Sequence, residues 1–158
     1  MDLILWRHAE AHPCKEGQDD LERALTSKGE RQAQRMAEWL NQRLAHSTRI
    51  LVSPARRTQQ TAQALDRHFK TVASLAPDAG VDAVLQAARW PAASEPVLIV
   101  GHQPTLGLVA AQLLTQSLSI PPPQTWAIKK GAVWWLRQRD RDGETQVLLQ
   151  AVQAPDGL

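Results

Sequence analysis

Three short runs, Leu3–Trp6, Ile50–Val52 and Val97–Val100, are apolar at every position. A strand with one wet face alternates apolar and polar residues. An unalternated run belongs to a sheet covered on both faces, the usual state of a parallel sheet packed between helices. The stretches between the runs supply those helices. "SKGERQAQRMAEWLNQRL" opens with Ser27 and Glu30 at capping-box spacing, then sets Ala33, Met36, Ala37, Leu40 and Leu44 on one stripe. "SPARRTQQTAQALDRHF" has Pro54 near a helix start, with Ala62, Leu65 and Phe69 on the inner face. Val81, Val84, Leu85 and Ala88 predict a short third helix, and Pro104 opens a fourth carrying Leu106, Val109, Ala110, Leu113 and Leu114. "IPPPQ" reads as a stiff connector. The stretch from Gly131 to Val152 reads as two strands around "DRDG", a hairpin at the sheet edge. The predicted fold is α/β: a three-layer αβα sandwich, its sheet mostly parallel with an antiparallel C-terminal edge. At 158 residues the chain is read as one domain, 1–158, with 153–158 a loose tail.

Composition narrows the function. Lys and Arg number 18 against 16 Asp and Glu, a net +2, so the chain as a whole carries no nucleic-acid footprint. Its apolar runs are too short to cross a bilayer, and no basic segment leads into a long apolar one at the N-terminus. A single cysteine, Cys14, excludes an intramolecular disulfide and points to a reduced, cytoplasmic setting without nucleic-acid or membrane partners.

The ends of the apolar runs are where chemistry concentrates. The first ends in Arg7-His8, the second is followed by "SPARR", and the third ends in Gly101-His102. Singly, each has an ordinary explanation, since histidine and arginine at strand ends often cap helices or satisfy loops. In an open α/β sheet, however, the ligand crevice lies outside the carboxyl ends of the strands. Parallel strands would therefore bring Arg7, His8, one arginine of 56–57 and His102 to one rim. Guanidinium forks grip phosphate oxygens in paired, planar geometry. A neutral imidazole can attack phosphorus and hold it covalently, and flanking arginines keep the imidazole neutral by repelling its proton. No GxxxxGK[ST] loop is present, so ATP binding has no support.

"RHAE" at 7–10, "RALTSKG" at 23–29, "SPARRTQQTA" at 53–62 and "GHQP" at 101–104 resemble the histidine phosphatase superfamily, which has the phosphoglycerate-mutase-like fold. The short chain looks most like its small SixA-type branch, the phosphohistidine phosphatases. The resemblance implies His8 as nucleophile, Arg7 as a grip on the phosphoryl oxygens, and His102 as a second imidazole donating to the transferring group. The family pattern Ser-Pro-x-x-Arg-x-x-Gln-Thr runs from Ser53 to Thr61, which selects Arg57 and leaves Arg56 as a solvated charge. It implies neither metal nor organic cofactor.

Two departures from the family are informative. Ala9 stands where the family usually has glycine, a difference read as subfamily identity. Larger branches take a glutamate general acid from an insert between the second and third motifs. Here that interval is short, and Asp78 is the only candidate acid near the expected place. A leaving imidazole is protonated near neutral pH, whereas an alkoxide needs an acid, so weak provision suits a phosphohistidine. Asp20 either orients a ligand or pairs with Arg23. Glu10 supports His8 or the rim. His12, His46 and His68 are read as exposed, Cys14 as inert, and the six tryptophans as core and sheet-face packing.

Three functions follow. The first is a phosphatase acting on a phosphohistidine-bearing phosphotransfer protein in signal transduction. The second is a small-molecule phosphomonoesterase, and the third a non-catalytic phosphate-binding module.

Overall fold

A computed structural model of the chain describes residues 1–116 and 124–158. Six strands form one sheet in the order β3-β2-β4-β1-β5-β6. They are β1 (Asp2–Arg7), β2 (Arg49–Val52), β3 (Lys70–Thr71), β4 (Val97–Gly101), β5 (Val133–Arg141) and β6 (Glu144–Gln153). β1, β2 and β3 run parallel to their neighbours around β4, while β5 and β6 are antiparallel. The helices are α1 (Ser27–Asn41), α2 (Arg56–Gln63), α3 (Val81–Ala88) and α4 (Thr105–Thr115). The three-layer sandwich expected from the apolar runs is the one formed.

The strand period of two sorts each run between the two faces. Ile4, Trp6, Ile50, Val52, Leu98 and Val100 pack against Met36, Ala37 and Leu40 of α1 and Ala62 of α2. Leu3, Leu5, Leu51, Val97 and Ile99 pack against Val84 and Ala88 of α3 and Leu106, Val109 and Ala110 of α4. Leu3, Ile4, Leu5 and Trp6 are all fully buried. Each such side chain contributes roughly 1.5–3 kcal/mol of transfer free energy, so both faces of β1 act as core.

Several local expectations shift. The N-cap of α1 is Thr26, not Ser27: its Oγ1 accepts the Gly29 N–H at 3.0 Å. Its hydroxyl donates to the Glu10 carboxylate at 3.0 Å, which ties the helix start to the chain leaving β1. α2 ends at Gln63, so Leu65 and Phe69 reach the core from the following loop rather than from a helical face. β3 is only two residues, too short to leave a period in the sequence. The hairpin turns at Asp142-Gly143, both at positive φ as a primed turn requires. The connector at 120–123 lies outside the described residues. Residues 153–158 are not loose: Pro155–Gly157 form a 3₁₀ turn with Pro155 buried. A Cβ on Gly131, at φ +77°, would stand 2.8 Å from Pro155 Cγ, so the tail packs where only glycine fits.

Candidate active site

Parallel pairing brings the carboxyl ends of β1, β2 and β4 to one edge of the sheet. The His8 N–H donates to the Gly101 carbonyl at 3.1 Å and the Ser53 N–H to Val100 at 3.1 Å, so the three strand exits are laced together. The Gly131 N–H donates to the His8 carbonyl at 2.9 Å and closes the site from the β5 side. Arg7, His8, Arg57 and His102 line one cavity of about 270 Å³, with Arg23 and Lys130 adding two further cations.

His8 is 7 % exposed, and its Nδ1 lies 2.7 Å from the Ala9 carbonyl. A carbonyl oxygen only accepts, so Nδ1 carries the hydrogen and Nε2 keeps its lone pair. The ring is held neutral. Burial, followed by the charges of Arg57, Arg7 and Arg23, lowers its pKa from 6.5 to about 4. Repulsion by the arginines, the reason expected from sequence, is the smaller cause. Desolvation comes first.

His102, 4 % exposed, stands with its ring centroid 5.4 Å from that of His8. Its Nε2 is 2.7 Å from Ser53 Oγ, which already accepts the Ala55 N–H at 3.3 Å. Donation from the Ser53 hydroxyl to Nε2 satisfies all of these groups and puts the ring hydrogen on Nδ1. Nδ1 is buried without a partner among the described residues, as are Nε of Arg7 and Nε of Arg57. A buried unpaired donor costs about 1–3 kcal/mol. All three belong to residues that line the cavity. Burial, then the neighbouring His8, lowers the His102 pKa to about 3.

The "SPARRTQQT" stretch explains itself residue by residue. Ser53 meets His102, and the Arg57 side chain is nearly buried, 4 % exposed. Gln60 Oε1 accepts the Leu25 N–H at 2.7 Å, and Thr61 Oγ1 accepts the Ala9 N–H at 3.1 Å. One helical turn and a half thus braces both chain segments that flank the cavity. Arg56 is exposed. The Ala9 methyl is accommodated in a buried cluster with Leu25 and Ala33.

Asp20 does more than pair with Arg23. Its Oδ1 accepts from Arg23 Nε at 2.8 Å, its Oδ2 from Arg57 Nη2 at 3.0 Å, and its carbonyl from Arg57 Nη1 at 2.9 Å. Partial burial pushes its pKa up, but the bonds from Arg23 and Arg57 outweigh this and hold it below the usual carboxylate value. Arg7 is fixed by donation from Nη1 to the Ile128 carbonyl at 2.8 Å. Glu10 does not reach the cavity, because its carboxylate accepts from Thr26 and faces Lys28 at 3.8 Å. Asp78 is exposed beside Pro77, which lines the cavity while Asp78 does not. No carboxylate is among the cavity's described lining residues. Reasoning from sequence missed Ser53, Thr61, Arg23, Gln103 and Lys130. The first four sit inside quoted motifs, but Lys130 follows the third strand exit by nearly thirty residues and left no signal. Among the described residues no group of three or more His, Cys, Asp or Glu could hold a metal ion.

The lowered histidine pKa values set a pH dependence. Unfolded histidine takes a proton near 6.5 and folded His8 only near 4. The associated stability is complete above pH 6.5 and is lost as pH falls toward 4. Thermal melts of the ligand-free protein should therefore show a midpoint falling steadily between pH 6.5 and 4, and His8→Asn should flatten that slope. An unchanged slope in His8→Asn would contradict the desolvated, neutral ring.

Residues 3–80 match the family model described as histidine phosphatase superfamily (branch 1). The chain is 38% identical over 114 residues to an uncharacterized protein of Picosynechococcus sp. (strain ATCC 27264 / PCC 7002 / PR-6), covering 68% of this chain and 69% of that one. It is 31% identical over 122 residues to phosphohistidine phosphatase SixA of Escherichia coli (strain K12), covering 72% and 74%. A solved SixA-type structure from Nakamurella multipartitia superposes with a TM-score of 0.78 at 28% identity, covering 98% of this chain and 95% of that one.

Proposed function

Because the chain belongs to the histidine phosphatase superfamily, in its SixA-type branch, and so is a phosphatase of phosphoglycerate-mutase-like fold, we propose that it hydrolyses phosphohistidine on a protein through a phosphoryl group held on His8. One observation carries this reading. A histidine with its Nε2 lone pair free faces a cavity that holds two arginines and a second imidazole but no carboxylate among its described lining residues.

The steps follow from those groups. His8 Nε2 attacks phosphorus as the substrate's N–P bond breaks, and that electron pair leaves with the substrate imidazole, which takes a proton from water. The Nδ1–H held by the Ala9 carbonyl stabilises the positive charge on the phosphorylated His8 ring. Arg7 and Arg57 meet the non-bridging oxygens with donors already in place, and His102 offers its Nδ1–H. Water then attacks phosphorus, the pair returns to Nε2, and phosphate departs with the water's oxygen. Asp20 holds the Arg57 fork in position without entering the cavity. A leaving imidazole needs no dedicated acid, which matches the missing carboxylate. The partner in this reading is a phosphohistidine-bearing phosphotransfer protein.

The test compares a phosphohistidine-bearing phosphotransfer protein with a panel of sugar and nucleotide phosphates. The expected kcat/KM is at least about a hundredfold higher for phosphohistidine, with alkali-quenched mass spectrometry placing phosphate on His8. Faster ester hydrolysis would assign a small-molecule phosphomonoesterase. Binding without turnover would assign a phosphate-binding module.

A further inference from the structure

Unpartnered buried polar atoms occur among the active-site residues and, among the described residues, at one other place. Thr48 Oγ1 and Arg49 Nη1 are buried with no hydrogen-bond partner among the described residues. Both residues line a separate cavity of about 360 Å³ at the start of β2, the end opposite Ser53. β3 pairs only with Leu51 and Val52, so among the described residues Arg49 and Ile50 have no strand neighbour on that side of β2. His68, Lys70 and Arg89 complete its walls, and no carboxylate is among its described lining residues. None of the ion pairs among the described residues involves Arg49, Lys70 or Arg89.

Thr48 is only 9 % exposed, so its hydroxyl has little access to bulk water. Buried polar groups are retained where something completes them, and each unmade bond costs about 1–3 kcal/mol. A guanidinium fork, a hydroxyl and further cations on one concave surface match the donor set that recognises phosphate oxygens. The half-buried Phe69 adds an apolar wall, and the space exceeds what a bare oxyanion needs.

We propose that this cleft is a second anion-binding site, separate from the active site, that takes a phosphate group through Thr48 and Arg49 at its floor and Lys70 and Arg89 at its rim. The proposal does not depend on the phosphohistidine reading of the active site.

Amide NMR shifts of the full ¹⁵N-labelled chain, titrated with inorganic phosphate and in parallel with ADP, test it. Two sets of resonances should move and saturate independently: one around 7–9, 53–57 and 102–103, the other around 48–51 and 68–70. K70E/R89E, both exposed positions, should weaken the second set at least tenfold and leave the first set and phosphatase activity unchanged. Thr48→Val, of equal shape, should weaken the same set and provides the readout if the double variant does not fold. Tighter binding of ADP than of phosphate assigns the site to phosphate esters lying against Phe69, and equal binding assigns it to free oxyanions. Movement of the active-site set alone, or a second set indifferent to all these substitutions, overturns the proposal.

Discussion

Replacing His8 with alanine should lower phosphatase turnover by about 10⁴-fold or more while the protein still folds and still binds phosphate. The size follows from what the ring does in the proposed mechanism. In that mechanism it forms the bond to phosphorus, so its loss removes the covalent route rather than one contact along it. Arg7, Arg57 and His102 remain around the cavity, and in the proposed mechanism these hold the anion. Binding should change far less than rate. The measurement is single-turnover decay of a phosphohistidine protein, paired with phosphate binding by calorimetry and a circular dichroism check of folding. Residual activity within tenfold of the parent would remove His8 from the nucleophile's role and direct attention to His102.

The second large effect is on stability and has an unusual sign. Gly→Ala within a helix ordinarily stabilises by about 0.4–1 kcal/mol, because it restricts the unfolded chain. Gly29, in the first turn of α1, should do the reverse. A Cβ there would collide with the backbone carbonyl oxygen of Glu10. That carbonyl accepts the Thr26 N–H at 3.0 Å and stands two residues beyond His8, so it yields only if the α1 start or the strand exit moves. Overpacking of this kind costs typically 1–3 kcal/mol and occasionally more. We expect Gly29→Ala to lose about 3 kcal/mol, a fall in Tm of roughly 6–12 °C for a chain of this size. Thermal and urea melts give the answer. A variant more stable than the parent would mean that the α1 start does not press on Glu10.

The links between motifs were the hardest to read from sequence. Capping shows why. Ser27 and Glu30 have the right spacing, yet Thr26 is the cap, because Thr26 also bonds to Glu10 across sixteen residues of chain. Glu10 itself looked available to the site, and that same long-range bond turns it away. Asp20 looked like a surface partner for Arg23, while the fold also places it on Arg57, thirty-seven residues ahead. The near partner was right for Asp20 but incomplete, and for the α1 cap and Glu10 the deciding contact came from a residue distant in sequence.

What the chain's order of residues determined unaided is the layered architecture and the types of group at the strand exits. Unbroken apolar runs can be stable only when covered on both faces, and that burial is a local, compositional property. Tertiary structure alone decided the tautomers of His8 and His102 and the burial that keeps them neutral, the bracing of Arg57 by Asp20, and the meeting of Ser53 with His102. Those depend on which groups share a water-poor volume of a few ångströms, and desolvation and hydrogen bonding there are set by three-dimensional distance rather than by separation along the chain.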